Sequence, residues 1–210
     1  MHLHWDQATP AGLEVAATLE IVEPPVVSSL YFWALQVSFV DRGRRVGGAH
    51  LGLQWHEGHP GGTAVNWGGY RDGAGELDGE ASLLPSATGN RNTRDYSWRP
   101  NTPYRLRIRG RGDGWWTGAV TDLATGVETV VRRLHGGGNA LVAPVVWSEV
   151  FARCDAPSVA VRWSDLSPDP GLMRPTYQSH QDGGCANTRS TRDGDGWVQR
   201  TNVERQTQTG

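Results

Sequence analysis

The stretch AHLGLQWHEGHPGGTAVNWGGY, residues Ala49 to Tyr70, decides the fold. Its first half alternates. Ala49, Leu51, Leu53 and Trp55 fall on one side of an extended chain, and His50, Gly52, Gln54 and His56 on the other. After a polar Gly/Pro-rich connection the pattern returns, with Val65 and Trp67 opposed to Asn66, Gly68 and Tyr70. Two adjacent strands therefore place one apolar face against a core. They leave a second, polar face floored by a glycine, as a groove for a flat ligand requires.

The flanking chain repeats the period of two. Leu13 to Val22 alternates Leu13, Val15, Ala17, Leu19 and Ile21 with Glu14, Ala16, Thr18 and Glu20. Pro24-Pro25 ends it, because proline has no amide to donate to a ladder. Leu30 to Val40 sends Tyr31, Trp33, Leu35, Val37 and Phe39 to one side, which a helix would scatter around its surface. Arg71 to Asn101 reads as a long loop with one short strand near Ala81 to Leu84. Tyr104 to Arg109, Trp115 to Asp122, Val127 to Leu134, Val142 to Phe151 and Ser158 to Asp165 complete the regular part. Ser167 to Gly196 is expected to be irregular, Gly196 to Val203 a last strand, and Glu204 to Gly210 frayed. About ten short strands joined by turns predict an all-β, two-sheet antiparallel β-sandwich, a jelly roll of the concanavalin A-like kind. A closed β-barrel is the alternative. Residues 1–210 form one domain in this reading.

Composition agrees: Gly 28, Pro 12 and Trp 10 against Met 2 and Phe 3 suit strands and turns rather than a helical bundle. The formal net charge of -2 offers nothing to nucleic acid, and all 20 basic residues are Arg. No apolar run reaches the roughly 20 residues of a membrane-spanning helix. The start, MHLHWDQATP, lacks the basic and apolar parts of a signal peptide, so the chain is either cytoplasmic or begins after a removed signal. Cys154 and Cys185 form either one bridge between the last strands and the tail or two buried thiols.

Three segments carry a resemblance: Leu51-Gly-Leu-Gln54, the run Tyr96-Ser-Trp-Arg-Pro-Asn-Thr-Pro-Tyr-Arg-Leu-Arg107, and Trp115-Trp-Thr-Gly-Ala-Val-Thr-Asp122 with Thr125-Gly126. Together they resemble an uncharacterised family of bacterial β-sandwich domains, often secreted, and more loosely the concanavalin A-like lectin and glucanase fold. Gly184-Cys-Ala-Asn-Thr188 and Asp195 to Asn202 are similar to the ends of some such chains. The resemblance spans Ser29 to Asn202. It implies a sandwich in an extracellular, carbohydrate-facing setting and assigns no catalytic residue.

Several constellations are candidates for chemistry. Glu76-Leu-Asp-Gly-Glu80 matches the Glu-x-Asp-x-Glu strand of retaining glucanases, which would place Glu76, Asp78 and Glu80 on one face. The glycines at 73, 75 and 79 argue instead for a loop. His56 and His59 have a helical metal spacing, but Gly58 and Pro60 forbid a helix, so a solvated turn is expected. Asp193-Gly-Asp-Gly196 begins like a calcium loop without its later ligands, so a turn is expected and calcium remains the alternative. No other cofactor is implied. Arg105, Arg107 and Arg109 read as a solvent face. The groove is expected to gather His50, Gln54, Asn66 and Tyr70 with Trp115 or Trp147, for stacking on a small-molecule or glycan ligand. Trp147 and Glu149 have an ambiguous face. A lectin-like, carbohydrate-binding module is the leading expectation. The alternative is an enzyme in the same groove (a glycan hydrolase or lyase, or a small-molecule cyclase) with His50 or Glu149 as acid or base.

Overall fold

The computed structural model describes residues 1–5, 12–73, 75–168, 173–176 and 188–202. Two antiparallel sheets face each other. The first has seven strands in the order β13 (Met173–Thr176), β1 (His2–Trp5), β11 (Ala140–Val150), β3 (Tyr31–Asp41), β4 (Arg44–Trp55), β5 (Thr63–Arg71) and β7 (Thr93–Asp95). The second has eight: β14 (Arg189–Asp193), β15 (Gly196–Thr201), β12 (Val159–Ser167), β2 (Glu14–Glu23), β8 (Pro103–Gly110), β9 (Trp115–Asp122), β10 (Val127–His135) and β6 (Asp78–Gly79). The only helical element among the described residues is one 3-10 turn, Pro60–Gly62. The architecture is a β-sandwich and not a closed barrel. No helix among the described residues is long and apolar enough to cross a membrane.

The core lies between the sheets and is assembled by the alternation itself. Tyr31, Trp33, Leu35, Val37 and Phe39 from β3 meet Ala49, Leu51 and Leu53 from β4 and Val65 and Trp67 from β5. The other sheet supplies Val15, Ala17, Leu19, Ile21, Leu106, Ile108, Trp116 and Trp163. Each of the larger side chains among these, taken fully out of water, contributes about 1.5–3 kcal/mol. Phe39 and Trp116 stack across the core at 5.3 Å.

Some expectations change. Leu13 lies before β2 and is exposed, whereas Ala16 and Thr18, assigned to a wet face, are buried. The reason is position: β2 is an inner strand, and Arg105 from β8 reaches over it to Thr18 Oγ1 at 3.3 Å. No strand forms at Ala81 to Leu84; the short strands of that loop are β6 and β7. Met173–Thr176 and Arg189–Asp193 within the expected irregular segment are strands, since each finds an edge to pair with. The last strand ends at Thr201, and Glu204 to Gly210 lie outside the described residues. Cys154 is disulfide-bonded, and the chain's other cysteine, Cys185, lies outside the described residues, as does Gly184 to Asn187.

Candidate functional site on the outer face of the seven-stranded sheet

The site is built by the residues that alternation turns away from the core. Register sets them in rows across the strands. In one row Glu149 of β11 stands opposite Phe32 of β3, which stands opposite Gln54 of β4, followed by Ala64 of β5. The next row runs His2, Trp147, Ala34, Gly52, Asn66 and Thr93. A third runs His4, Val145, Gln36, His50 and Gly68.

Phe32, Ala34, Val145 and Trp147 form an apolar cluster separate from the main core. The Phe32 and Trp147 rings meet edge to face at 4.9 Å, and His50 leans on both, at 5.4 and 5.8 Å. Trp147 Nε1 donates to Gln36 Oε1 at 3.1 Å, which fixes the indole. This aromatic knot forms one side of the face. The other side is polar. Asn66 Nδ2 donates to Thr93 Oγ1 at 2.9 Å, and Arg132 donates to Asn92 Oδ1 and to the carbonyl of Trp67. Burial and the neighbouring Arg91 and Arg94 lower the Arg132 pKa to about 10, so it stays charged near neutrality.

Gly52 has a tighter reason than a flat floor. A Cβ there would lie 2.0 Å from the carbonyl oxygen of Trp33 and 2.7 Å from Ala34 Cα, so β3 and β4 could not pair with any side chain at this position. At Gly68 the space is taken by Asn92, whose Cγ would be 2.8 Å from a Cβ.

Gln54 is only 6% exposed. Its backbone carbonyl accepts from Trp98 Nε1 at 2.9 Å, which pins the loop before β8 onto the end of β4. Its side-chain amide makes no hydrogen bond among the described residues, so it is held in place yet chemically uncommitted. Glu149, by contrast, is exposed. The Met1 α-ammonium donates to Ser148 O at 2.9 Å and attracts the Glu149 carboxylate.

His50 keeps some solvent contact but is packed by protein on nearly every side. Desolvation lowers its pKa to about 4, with Asn66 opposing the shift. The imidazole is therefore neutral near pH 7. The unfolded chain binds a proton that the folded chain refuses between the ordinary pKa of 6.5 and about 4. Stability from this group is complete above pH 6.5 and is lost as pH falls toward 4. The loss is about 3 kcal/mol. Urea titrations at the two ends of that window should show wild type losing this much more than His50→Gln; parallel profiles would refute it.

Of the other sequence candidates, Tyr70 shares this outer face, in the next row with Ser38 and Gly48, and the rest lie elsewhere. Tyr70 is exposed at the end of β5. Trp115 belongs to the opposite sheet, on its outer side, with Arg133 over its ring at 5.1 Å and His135 at 5.0 Å; its neighbour Trp116 takes the core side. Glu76, Asp78 and Glu80 lie at and beside β6, the edge strand of the other sheet, and each is met by an arginine. Glu76 lies 3.6 Å from Arg91, Asp78 3.0 Å from Arg71, and Glu80 3.0 Å from Arg133. His59 is buried rather than solvated, because the chain folds back through the 3-10 turn, and its pKa is lowered by burial and by His56. Asp193 and Asp195 form the β14–β15 turn and pair with Arg162 at 3.2 and 2.6 Å. Arg107 and Arg109 are tied to Glu128. Among the described residues no group of three or more His, Cys, Asp and Glu could hold a metal ion. Phe32, Gln36, His2 and Thr93 escaped sequence reasoning. The alternation of β3 and of His2 and His4 was the available signal, but nothing local says which outward face is occupied.

Comparison with solved structures adds the fold relationship. Scytalidoglutamic peptidase with a peptide-based transition-state analogue superposes with a TM-score of 0.53 at 12% identity, covering 94% of this chain and 95% of that one. The same peptidase with a transition-state analogue inhibitor gives 0.52 at 13%, with the same coverage. The fold matches that of the glutamic peptidases. These likenesses are to enzymes, not to the concanavalin A-like lectins that the sequence resemblance implied, and they lend no support to a carbohydrate ligand. No family model and no curated protein matches the chain.

Proposed function

We propose that the protein is a hydrolase of amide bonds, a peptidase that works from the outer face of the seven-stranded sheet. One observation carries this reading: a carboxylate and an uncommitted primary amide, Glu149 and Gln54, share one row with Phe32 between them. Two strand spacings separate their backbones, about 10 Å, so the two side chains flank a space wide enough for a carbonyl and a water. Glu149 is the glutamate on the strands of this sheet, and the structural neighbours are glutamic peptidases by name.

The chemistry follows from the groups. Glu149 takes a proton from water as that water attacks the scissile carbonyl carbon. The Gln54 NH2 donates to the oxygen as it becomes an oxyanion. The protonated Glu149 then delivers its proton to the leaving nitrogen as the C–N bond breaks, leaving an acid and an amine. Phe32 supplies a dry floor, in which the electrostatic contribution of the amide is larger than in water.

The direct test incubates the protein with a proteome-derived peptide library across acidic and neutral pH and reads new termini by mass spectrometry. Discrete new termini, absent with Glu149→Gln, are expected. A library left intact by wild-type protein at every pH would sink the reading.

A further inference from the structure

Resting on the peptidase reading, we propose that Asn66 Oδ1 is the acceptor that docks the substrate's main chain, taking a backbone N–H from a residue beside the scissile bond.

Asn66 is 7% exposed, and its Oδ1 is buried without a hydrogen-bond partner. Its Nδ2 is committed to Thr93 Oγ1 at 2.9 Å, which fixes the orientation of the amide and leaves the oxygen as the free end. The His50 ring lies close enough to Asn66 for the amide to favour its protonated form, yet no donor meets Oδ1 at full hydrogen-bonding geometry. A lone acceptor buried this deeply is costly, and native structures leave few of them. One that stands on a binding face awaits a donor.

The location says which donor. Asn66 is opposite Gly52 and therefore diagonal to Gln54, about 7 Å away across β4 and β5. That is close to the rise of two residues in an extended chain. A peptide whose scissile carbonyl sits at Gln54 thus brings a neighbouring main-chain N–H to Asn66. Main-chain recognition of this kind is indifferent to sequence. Selectivity falls to the apolar side, where a large uncharged side chain can lie against Phe32, Trp147 and neutral His50.

The test uses the library peptide that wild type cleaves best, resynthesised with each non-scissile amide replaced in turn by an ester, which removes one N–H. In wild type, one position near the scissile bond should raise KM about 10-fold with kcat nearly kept, as loss of a uniform binding contact does. In Asn66→Ala the same ester and amide should be cleaved alike, and Asn66→Asp, which keeps an acceptor oxygen, should restore the difference. An equal ester penalty in wild type and Asn66→Ala overturns the subsite while the peptidase reading stands. Should Asn66→Ala fail to fold, the wild-type scan still decides, since no penalised position overturns the proposal. If wild type neither binds nor cleaves any library peptide, the peptidase reading falls and the subsite with it.

Discussion

Glu149→Gln should lower kcat for peptide cleavage by about 10²- to 10⁴-fold, the usual contribution of a positioned general base. Glutamine keeps the shape and cannot take the proton. Because Glu149 is exposed, its melting temperature should hardly move. Gln54→Leu should cost about 10²- to 10³-fold in kcat by removing the oxyanion donor. The double variant should fall by much less than the product of the two, because groups acting in one step are not additive. Purified variants assayed on one fluorogenic peptide settle all three. A Glu149→Gln protein with wild-type kcat would remove Glu149 from the chemistry and turn attention to His50.

Trp67→Ala should be the most damaging single change to stability, about 3–5 kcal/mol. Trp67 is fully buried between the sheets. Gly118 on β9 packs against its indole so closely that a Cβ there would approach the ring to 2.7 Å. Truncation leaves a cavity that two paired sheets cannot collapse to fill. Gly118→Val should cost about 1–3 kcal/mol for the opposite reason, overpacking. The pair Trp67→Leu with Gly118→Val should then be less destabilised than the sum, since each relieves the other. Urea unfolding with a constant m-value is the measurement. A Trp67→Ala protein as stable as wild type would mean that β5 presents the wrong face to the core.

Much of the sandwich was legible because the pleat has a period of two, and that period is local. From Ala49 to Trp55 the alternation alone separates Ala49, Leu51 and Leu53, which enter the core, from His50 and Gln54, which do not. The same holds for Tyr31 to Phe39 and for Tyr104 to Ile108. His50, Gln54 and Asn66 were thereby gathered on one face before any pairing was known. Glu76, Asp78 and Glu80 were weakened as a catalytic strand by their glycines, and their arginine partners are the structural counterpart.

Tertiary pairing decided the rest. In β11 a bulge falls between Val142 and Val145, with Ala143 at a φ of 49° beside Pro144. One extra residue there reverses the phase, so Leu141 and Val146 both reach the core although they are an odd number of residues apart. Val145, Trp147 and Glu149 are turned outward by that single step, toward Phe32 and His50. No period read along Val142 to Phe151 contains it, because a bulge is defined against the partner strand β3. For the same reason the expectation that Trp115 lines the groove fails, because its sheet neighbours put it on the far side of the sandwich. Which face a residue shares with its own neighbours is a property of the chain. Which residues face each other across strands depends on contacts between segments far apart in the chain, such as those that carry Gln54 and Glu149, and only the folded sheet brings them into one row.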